Sequence, residues 1–359
     1  MNEVGEKVEA RVEQARKYID KQKGWRPQRR TVLWLVSMAV VLVVAVVVVP
    51  RVLPGKIPDG DALLGRGRGI SVVPLGAGAV RDLVPAPPAG DGFSAWAISE
   101  TREEVAIGWY RERGGKVEEV TVQMRSAYSG RTLAQWAPEF DPAEPGLAQV
   151  GFVPQHNLIW FLSSGRLSVI DIKSAEILPF QFKSPGGREE IEPAEGATSA
   201  GFSPDGLLAF AERGKLVVVR GRATSRIREP LGSHVVLEPG RSTDEAGGVI
   251  TGRIESFTWL DDDSIAVVVS ARPEVGATAS VYLVDAGTKG ARRARLLVPA
   301  PSTGYISSIS SAPEGGGFAV IYSGAGKTSL RRYDPGGKRV GAADLPKGDW
   351  RAPLSWTSQ

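Results

Sequence analysis

The sequence of 359 residues has no cysteine and only two histidines, His156 and His234. The missing thiols exclude disulfides, thiolate metal sites, cysteine nucleophiles and a lipid-modified lipoprotein cysteine. Two histidines this far apart leave little for a His-rich metal site or a Ser-His-Asp triad. No G-x-S-x-G elbow is present, and a prolyl-peptidase arrangement needs an appended α/β domain that the chain lacks. The large part of the chain also has no charge excess. Residues 1–30 hold nine of the 44 Lys/Arg and five of the 40 Asp/Glu, which leaves 35 of each sign for the rest. The basic pI near 9.2 therefore belongs to a short tail, and nothing advertises the basic face that nucleic-acid binding needs.

What the sequence does have is one long apolar run. Thr31 to Val49, "TVLWLVSMAVVLVVAVVVV", contains no charge. Nineteen residues at about 1.5 Å each cross roughly 30 Å of hydrocarbon. A cleaved signal peptide fits less well: thirty residues, fourteen of them charged, precede the run, and it ends in four valines and a proline without a small-x-small site. The expectation is an uncleaved transmembrane helix over 31–50. Arg16, Lys17, Lys21, Lys23, Arg26, Arg29 and Arg30 crowd its N-terminal side, so the positive-inside rule places the N-terminus in the cytoplasm and the large domain outside the cell membrane.

Residues 1–30 have helix-forming composition up to Lys23, with Val4, Val8, Val12, Ala15 and Ile19 on one helical face. That stripe suits a membrane-proximal helix, docking of a cytoplasmic protein, or self-association as a short coiled coil. Residues 51–60, rich in Pro and Gly, read as a stalk.

Beyond residue 60 the pattern is all β. "GFSPDGLLAFAERGKLVVVR", Gly201 to Arg220, reads as strand, Ser-Pro-Asp-Gly turn, strand, Gly-Lys turn, strand. Similar units begin at Ala95, Gly151, Phe257 and Ile309. Their turn positions, Glu100, Pro154, Pro204, Asp261 and Pro313, are spaced by 54, 50, 57 and 52 residues. A period near fifty is that of four-stranded propeller blades. "PLSWTSQ", Pro353 to Gln359, matches only a first strand, and Leu63 to Val84 matches only later strands. Joined, they make a sixth blade and close residues 61–359 into a ring; five or seven blades remain open alternatives.

The run Phe202 to Gly206 with "LAF" and a following "VYLVD"-type strand resembles the TolB-type, WD-like propeller repeats of bacterial envelope proteins. The resemblance covers about residues 60–359 and implies an interaction platform.

Other motifs reduce to turn chemistry. "GAGKT", Gly324 to Thr328, ends like a P-loop, but the leading glycine of that motif falls on Ile321 and a strand follows. It reads as a hairpin turn, so nucleotide is not expected. "DDDS" at Asp261 offers calcium-type oxygens without the spacing of a dedicated loop. "SPDG" departs from the sialidase Asp box in spacing, and "GDG" at 90–92 and "GGG" at 315–317 read as turns. Arg220, Arg222, Arg226 and Arg228, with Arg292, Arg293 and Arg295, read as basic runs in outer-strand positions, facing either solvent, anionic lipid or a charged wall polymer. Trp96, Trp259 and Trp356 recur in first strands and point to packing between blades.

No catalytic, cofactor or metal residue is assigned. The expected function is a non-catalytic, membrane-anchored binding module for a protein or envelope ligand. The alternative is an extracytoplasmic hydrolase or lyase acting on envelope carbohydrate through Asp/Glu pairs in the central funnel; Asp205, Asp261 and Glu314 are turn carboxylates and suit that poorly.

Overall fold

The computed structural model describes residues 57, 60–76, 78–88, 91–140, 147–163, 165–179, 182–183, 190–191, 197–223, 228–271, 278–287, 293–312 and 317–356. Residues 55–359 form one compact unit. Within it six sheets follow one another along the chain, antiparallel except where Phe182–Lys183 joins the fourth and Thr243–Asp244 joins the fifth. Blade 1 contains β1 (Asp61–Arg66), β2 (Gly69–Pro74) and β3 (Arg81–Val84). Blade 2 is β4 (Asp91–Ile98), β5 (Glu104–Arg113), β6 (Lys116–Ser126) and β7 (Thr132–Trp136). Blade 3 is β8 (Leu147–Val153), β9 (Leu158–Ser163), β10 (Arg166–Asp171) and β11 (Ile177–Pro179).

Blade 4 adds two short strands, β12 (Phe182–Lys183) and β13 (Glu190–Ile191), to β14 (Ala197–Phe202), β15 (Leu208–Glu212), β16 (Lys215–Ala223) and β17 (Arg228–Leu237). Blade 5 combines β18 (Thr243–Asp244) with β19 (Arg253–Trp259), β20 (Ser264–Ser270), β21 (Ala279–Asp285) and β22 (Arg293–Val298). Blade 6 is β23 (Tyr305–Ser311), β24 (Phe318–Gly324), β25 (Lys327–Tyr333) and β26 (Arg339–Asp344). The last strand, β27 (Trp350–Trp356), returns to blade 1.

That return decides the architecture. β27 pairs antiparallel with β1, with Trp356 opposite Ala62 and Leu354 opposite Leu64. The first strands β4, β8, β14, β19, β23 and β27 then touch one another in a closed cycle. The protein is a six-bladed β-propeller. Both ends of the repeat array lie in one blade, as the two partial repeats predict, and closure removes the open edges a broken ring would expose.

The core lies in six seams between neighbouring blades, each a separate apolar cluster. Strand alternation explains this. A blade buried on both faces needs apolar residues at nearly every inner position, and β9, "LIWFLS", and β20, "SIAVVVS", supply them. Ile57, inside the stretch that reads as a stalk, is fully buried with Leu63, Ile70 and Ile107 in the seam of blades 1 and 2.

Two irregularities repeat around the ring. Every first strand carries a bulge, at Ser94, Ala148, Thr198, Glu255, Ser307 and, in β27, at Ala352 and Pro353. Five outer strands carry another, and each time the extra residue is apolar: Leu83, Leu133, Val236, Leu297 and Val340. A bulge bends a strand and increases its twist. Neither set is visible in the spacing of the repeats, because one extra residue per strand is lost in turn-length variation.

Among the described residues no helix is long and apolar enough to cross a membrane. The run Thr31–Val49 and the tail 1–30 lie outside those residues.

Candidate functional site

The first strands meet at the axis of the ring, where their inner edges have no further strand to pair with. Unpaired N–H groups there need acceptors, and short polar side chains of the neighbouring blade provide them. Leu147 N donates to Ser94 Oγ at 3.2 Å, and Ala200 N to Gln149 Oε1 at 2.6 Å. Ser311 N donates to Thr258 Oγ1 at 2.9 Å, Leu354 N to Ser308 Oγ at 3.2 Å, and Ile98 N to Ser355 Oγ at 3.2 Å. At the remaining joint, blades 4 and 5, the Trp259 indole donates to Gly201 O at 3.1 Å. All six joints are therefore linked by a hydrogen bond between first strands. The serines of "GFSAW", "ISSISSA" and "PLSW" gain their meaning here. Only the closed ring shows what they face.

The tryptophans act in the same joints. Trp96, Trp259 and Trp356 are 5%, 4% and 3% exposed, and the Trp96 indole N–H lies 3.4 Å from Leu63 O in blade 1. They pack blade on blade, as their repetition predicts.

The ring has two faces. Turns between first and second strands open on one, and hairpins between second and third strands on the other. On the first-turn face, Asp261 Oδ1 accepts from Asp263 N at 2.9 Å, and Asp262 Oδ1 accepts from Asp205 N at 2.8 Å across to blade 4. "DDDS" and "SPDG" thus tie two neighbouring turns together. His156 sits in the equivalent turn of blade 3. His234, in contrast, lies in the seam of blades 4 and 5, with Nε2 3.0 Å from Ala286 O.

On the hairpin face, Gly324 pairs with Lys327, and Ala325 and Gly326 have φ of 51° and 72°. Positive φ at both central residues is the two-residue hairpin geometry that matches strand twist. The P-loop-like stretch is a turn between β24 and β25.

Two sequence readings need correction. Arg220 and Arg222 belong to the third strand, β16, and among the described residues of these runs Arg228, Arg293 and Arg295 stand on outer strands; Arg226 and Arg292 lie outside the described residues. Turn length hides where a strand ends, so the run was placed one strand too far. Asp91 and Gly92 of "GDG" open β4 and are not a turn. A Cβ on Gly92 would meet the Tyr110 ring at 2.3 Å, so this glycine is set by close packing.

Charged residues are few on the first strands: Asp91, Glu255, Arg253 and Arg351 among the described residues. Asp91 lies 4.0 Å from Arg111. A cleft of about 770 Å³ opens instead on the outer part of blade 5, lined by Glu245, Asp263, Asp285, Arg293 and Arg295. Its mixed charges suit a polar, zwitterionic surface contact. No group of His, Asp and Glu side chains spaced to hold a metal ion occurs among the described residues.

Burial shifts two groups elsewhere. It pushes the Asp61 carboxyl above its ordinary range against the pull of Arg81. It also lowers the Arg125 guanidinium, which donates to Gln123 Oε1 at 2.9 and 2.6 Å and lies over the Trp109 ring. A guanidinium stacked on an indole and bonded to a neutral amide braces the outer part of blade 2.

No protein-family model matches the chain, and no curated protein matches it. Among solved structures it is similar to a chain of the nidogen/laminin complex, with 11% identity, a TM-score of 0.52, and coverage of 82% of this chain and 97% of that one. It is likewise similar to TolB from Acinetobacter baumannii, with 14% identity, a TM-score of 0.50, and coverage of 86% of this chain and 68% of that one. The likeness is one of fold. It agrees with the TolB-type repeat pattern read from Phe202 to Gly206.

Proposed function

We propose that the chain is a single-pass membrane protein whose propeller is an extracytoplasmic binding module for a protein or envelope ligand, acting as scaffold or sensor without catalysis. The observation that carries this reading is the use made of the first strands. Ser94, Gln149, Thr258, Ser308 and Ser355 of these strands hold neighbouring blades together. What the ring offers a ligand is a rigid framework with exposed turns on both faces, and loops on such a framework are where recognition concentrates. The uncharged run Thr31–Val49 and the cations before it support the anchor and the orientation. In this reading the tail 1–30 lies in the cytoplasm and contacts a cytoplasmic protein or a second tail.

Protease shaving of intact cells tests the topology: the propeller is digested from outside while the tail is protected. In-cell cross-linking followed by mass spectrometry, with full-length and tail-deleted chains side by side, tests the binding role. Partners shared by both chains belong to the propeller. A propeller sheltered from external protease, or no recovered partner with either chain, counts against the reading.

A further inference from the structure

We propose that the hairpin face of blades 6 and 1 is a docking surface for an acidic segment of a partner protein, gripped by Lys327, Lys347, Arg66 and Arg68. The inference rests on the binding role proposed above and names the chemistry of the partner; it does not depend on the membrane anchor.

The four cations stand on three loops that the chain holds side by side. Lys327 closes the "GAGK" hairpin of blade 6, Arg66 and Arg68 belong to the hairpin between β1 and β2, and Lys347 lies in the connector from β26 to β27. That connector is pinned at both ends. Leu345 N donates to Thr328 O at 3.0 Å, next to Lys327, and Gly67 N donates to Asp349 O at 2.7 Å, between Arg66 and Arg68. Just beyond it, the Trp350 indole donates back to Pro346 O at 2.7 Å. Lys347 is therefore fixed between two hairpins that carry the other three charges.

All four cations are exposed, and none has a carboxylate within ion-pair distance among the described residues. Other hairpins on this face neutralise theirs: Arg111 pairs with Glu119, Arg113 with Glu118 and Arg213 with Glu212. The unpaired Lys116, Arg166 and Arg253 stand one to a blade. Within the row, Asp349 is held by Arg351, and Asp344 at the end of β26 pairs with none of the four. Like charges held side by side repel one another, and an anionic partner relieves that cost.

The chemistry favours a peptide carboxylate. Arg66 stands opposite Trp350 across β1 and β27, and its guanidinium lies 5.4 Å over the indole. Trp350 packs in turn against the apolar cluster in the seam of blades 6 and 1. Its ring thus braces a guanidinium and is not a platform for a sugar. A braced fork meets a carboxylate in two parallel hydrogen bonds. Arg68 donates through Nη2 to Pro88 O at 3.0 Å and to Asp91 O, which holds it on the blade 2 side of its hairpin. Cations on both sides of one hairpin and on the neighbouring blade suit an extended segment with several Asp or Glu residues. Trp and Arg are also the residues that most often carry binding energy in protein interfaces.

The test titrates the full chain, purified in detergent, with a fluorescein-labelled peptide of alternating Glu and Gly at low ionic strength. Arg66→Glu with Arg68→Glu, and separately Lys327→Glu with Lys347→Glu, should each weaken binding roughly tenfold. The control, Arg213→Glu with Arg241→Glu, makes the same change of net charge at cations that already have carboxylate partners, and should stay within about twofold of the parent. In cross-linked cells, a partner captured by the parent should be lost with Arg66→Glu and Arg68→Glu and kept with the control. No loss at either pair, an equal loss in the control, or tighter binding of a polyuronate than of the peptide overturns the proposal. So does capture of the same partners by the Arg66→Glu and Arg68→Glu chain, a result that leaves the binding role standing. No partner recovered with the parent counts against the binding role alone, and the peptide titration then decides this surface.

Discussion

Blades 1, 4 and 5 and blades 2 and 6 contain the same device and put it to different use. In each, the outer strand bulges at an apolar residue. In the first group that residue is buried: Leu83 at 6%, Val236 at 0% and Leu297 at 8% exposure. In the second group Leu133 and Val340 are both 51% exposed. The difference lies in the next blade. The turn between its third and outer strands covers the bulge in the first group. Gly130 of blade 2 comes so close to Leu83 that a Cβ would lie 2.4 Å from the Leu83 carbonyl oxygen, and Gly337 of blade 6 does the same to Leu297 at 2.6 Å. Ala286 of blade 5 packs in the cluster that holds Val236.

The residue after the bulge follows suit. It is Val84, Leu237 or Val298 where covered, and Ala134 or Gly341 where open. A repeat therefore fixes the position of a knob, and the neighbouring turn decides whether that knob is core or surface.

The comparison breaks most severely if the ring itself is opened. Deleting Pro353–Gln359 removes most of β27 and its pairing with β1, and should abolish cooperative unfolding and leave blade 1 sensitive to protease. A residual single sharp thermal transition at the parent temperature would show that closure contributes little. Next come the covered knobs. Leu297→Ala and Leu83→Ala should each cost about 2–4 kcal/mol by the usual measure for buried leucine, read from denaturant midpoints at constant m-value.

The covering turn should matter by its own route. Gly337→Ala forces a Cβ onto a residue at φ 86° and against Leu297 O, and is expected to cost about 1–3 kcal/mol. Thr258→Val leaves Ser311 N without its acceptor in the joint of blades 5 and 6, for about 1–2 kcal/mol. Hydrogen exchange at Ser311 should rise with it. The smallest effect belongs to the open knobs. Leu133→Ala and Val340→Ala should stay within about 0.5 kcal/mol. A large loss at either would mean that exposure misjudges its packing.

Much of this was legible beforehand. The fifty-residue spacing of Glu100, Pro154, Pro204, Asp261 and Pro313 announces blades, and the partial repeats at Leu63 and Pro353 announce closure. Turn residues are reliable signals because their backbone demands are local. The Asp262 contact with the turn at Asp205 was not legible, since it joins residues 57 apart. Nor was the hydrogen-bond belt. Ser94, Thr258, Ser308 and Ser355 look alike whether they face solvent or a neighbouring blade. The arginines Arg220 and Arg222 were misplaced because composition marks a turn without marking which strand precedes it.

The sequence by itself determined the repeat, the turns and the meeting of the two chain ends, because each depends on residues close together or on alternation along a strand. Only the tertiary structure decided which serines close the ring, which aspartates hold a neighbour's turn, and which of five equivalent apolar knobs are buried. Those outcomes depend on what the next blade places opposite, and an exposed and a buried leucine are the same letter until the blades are packed.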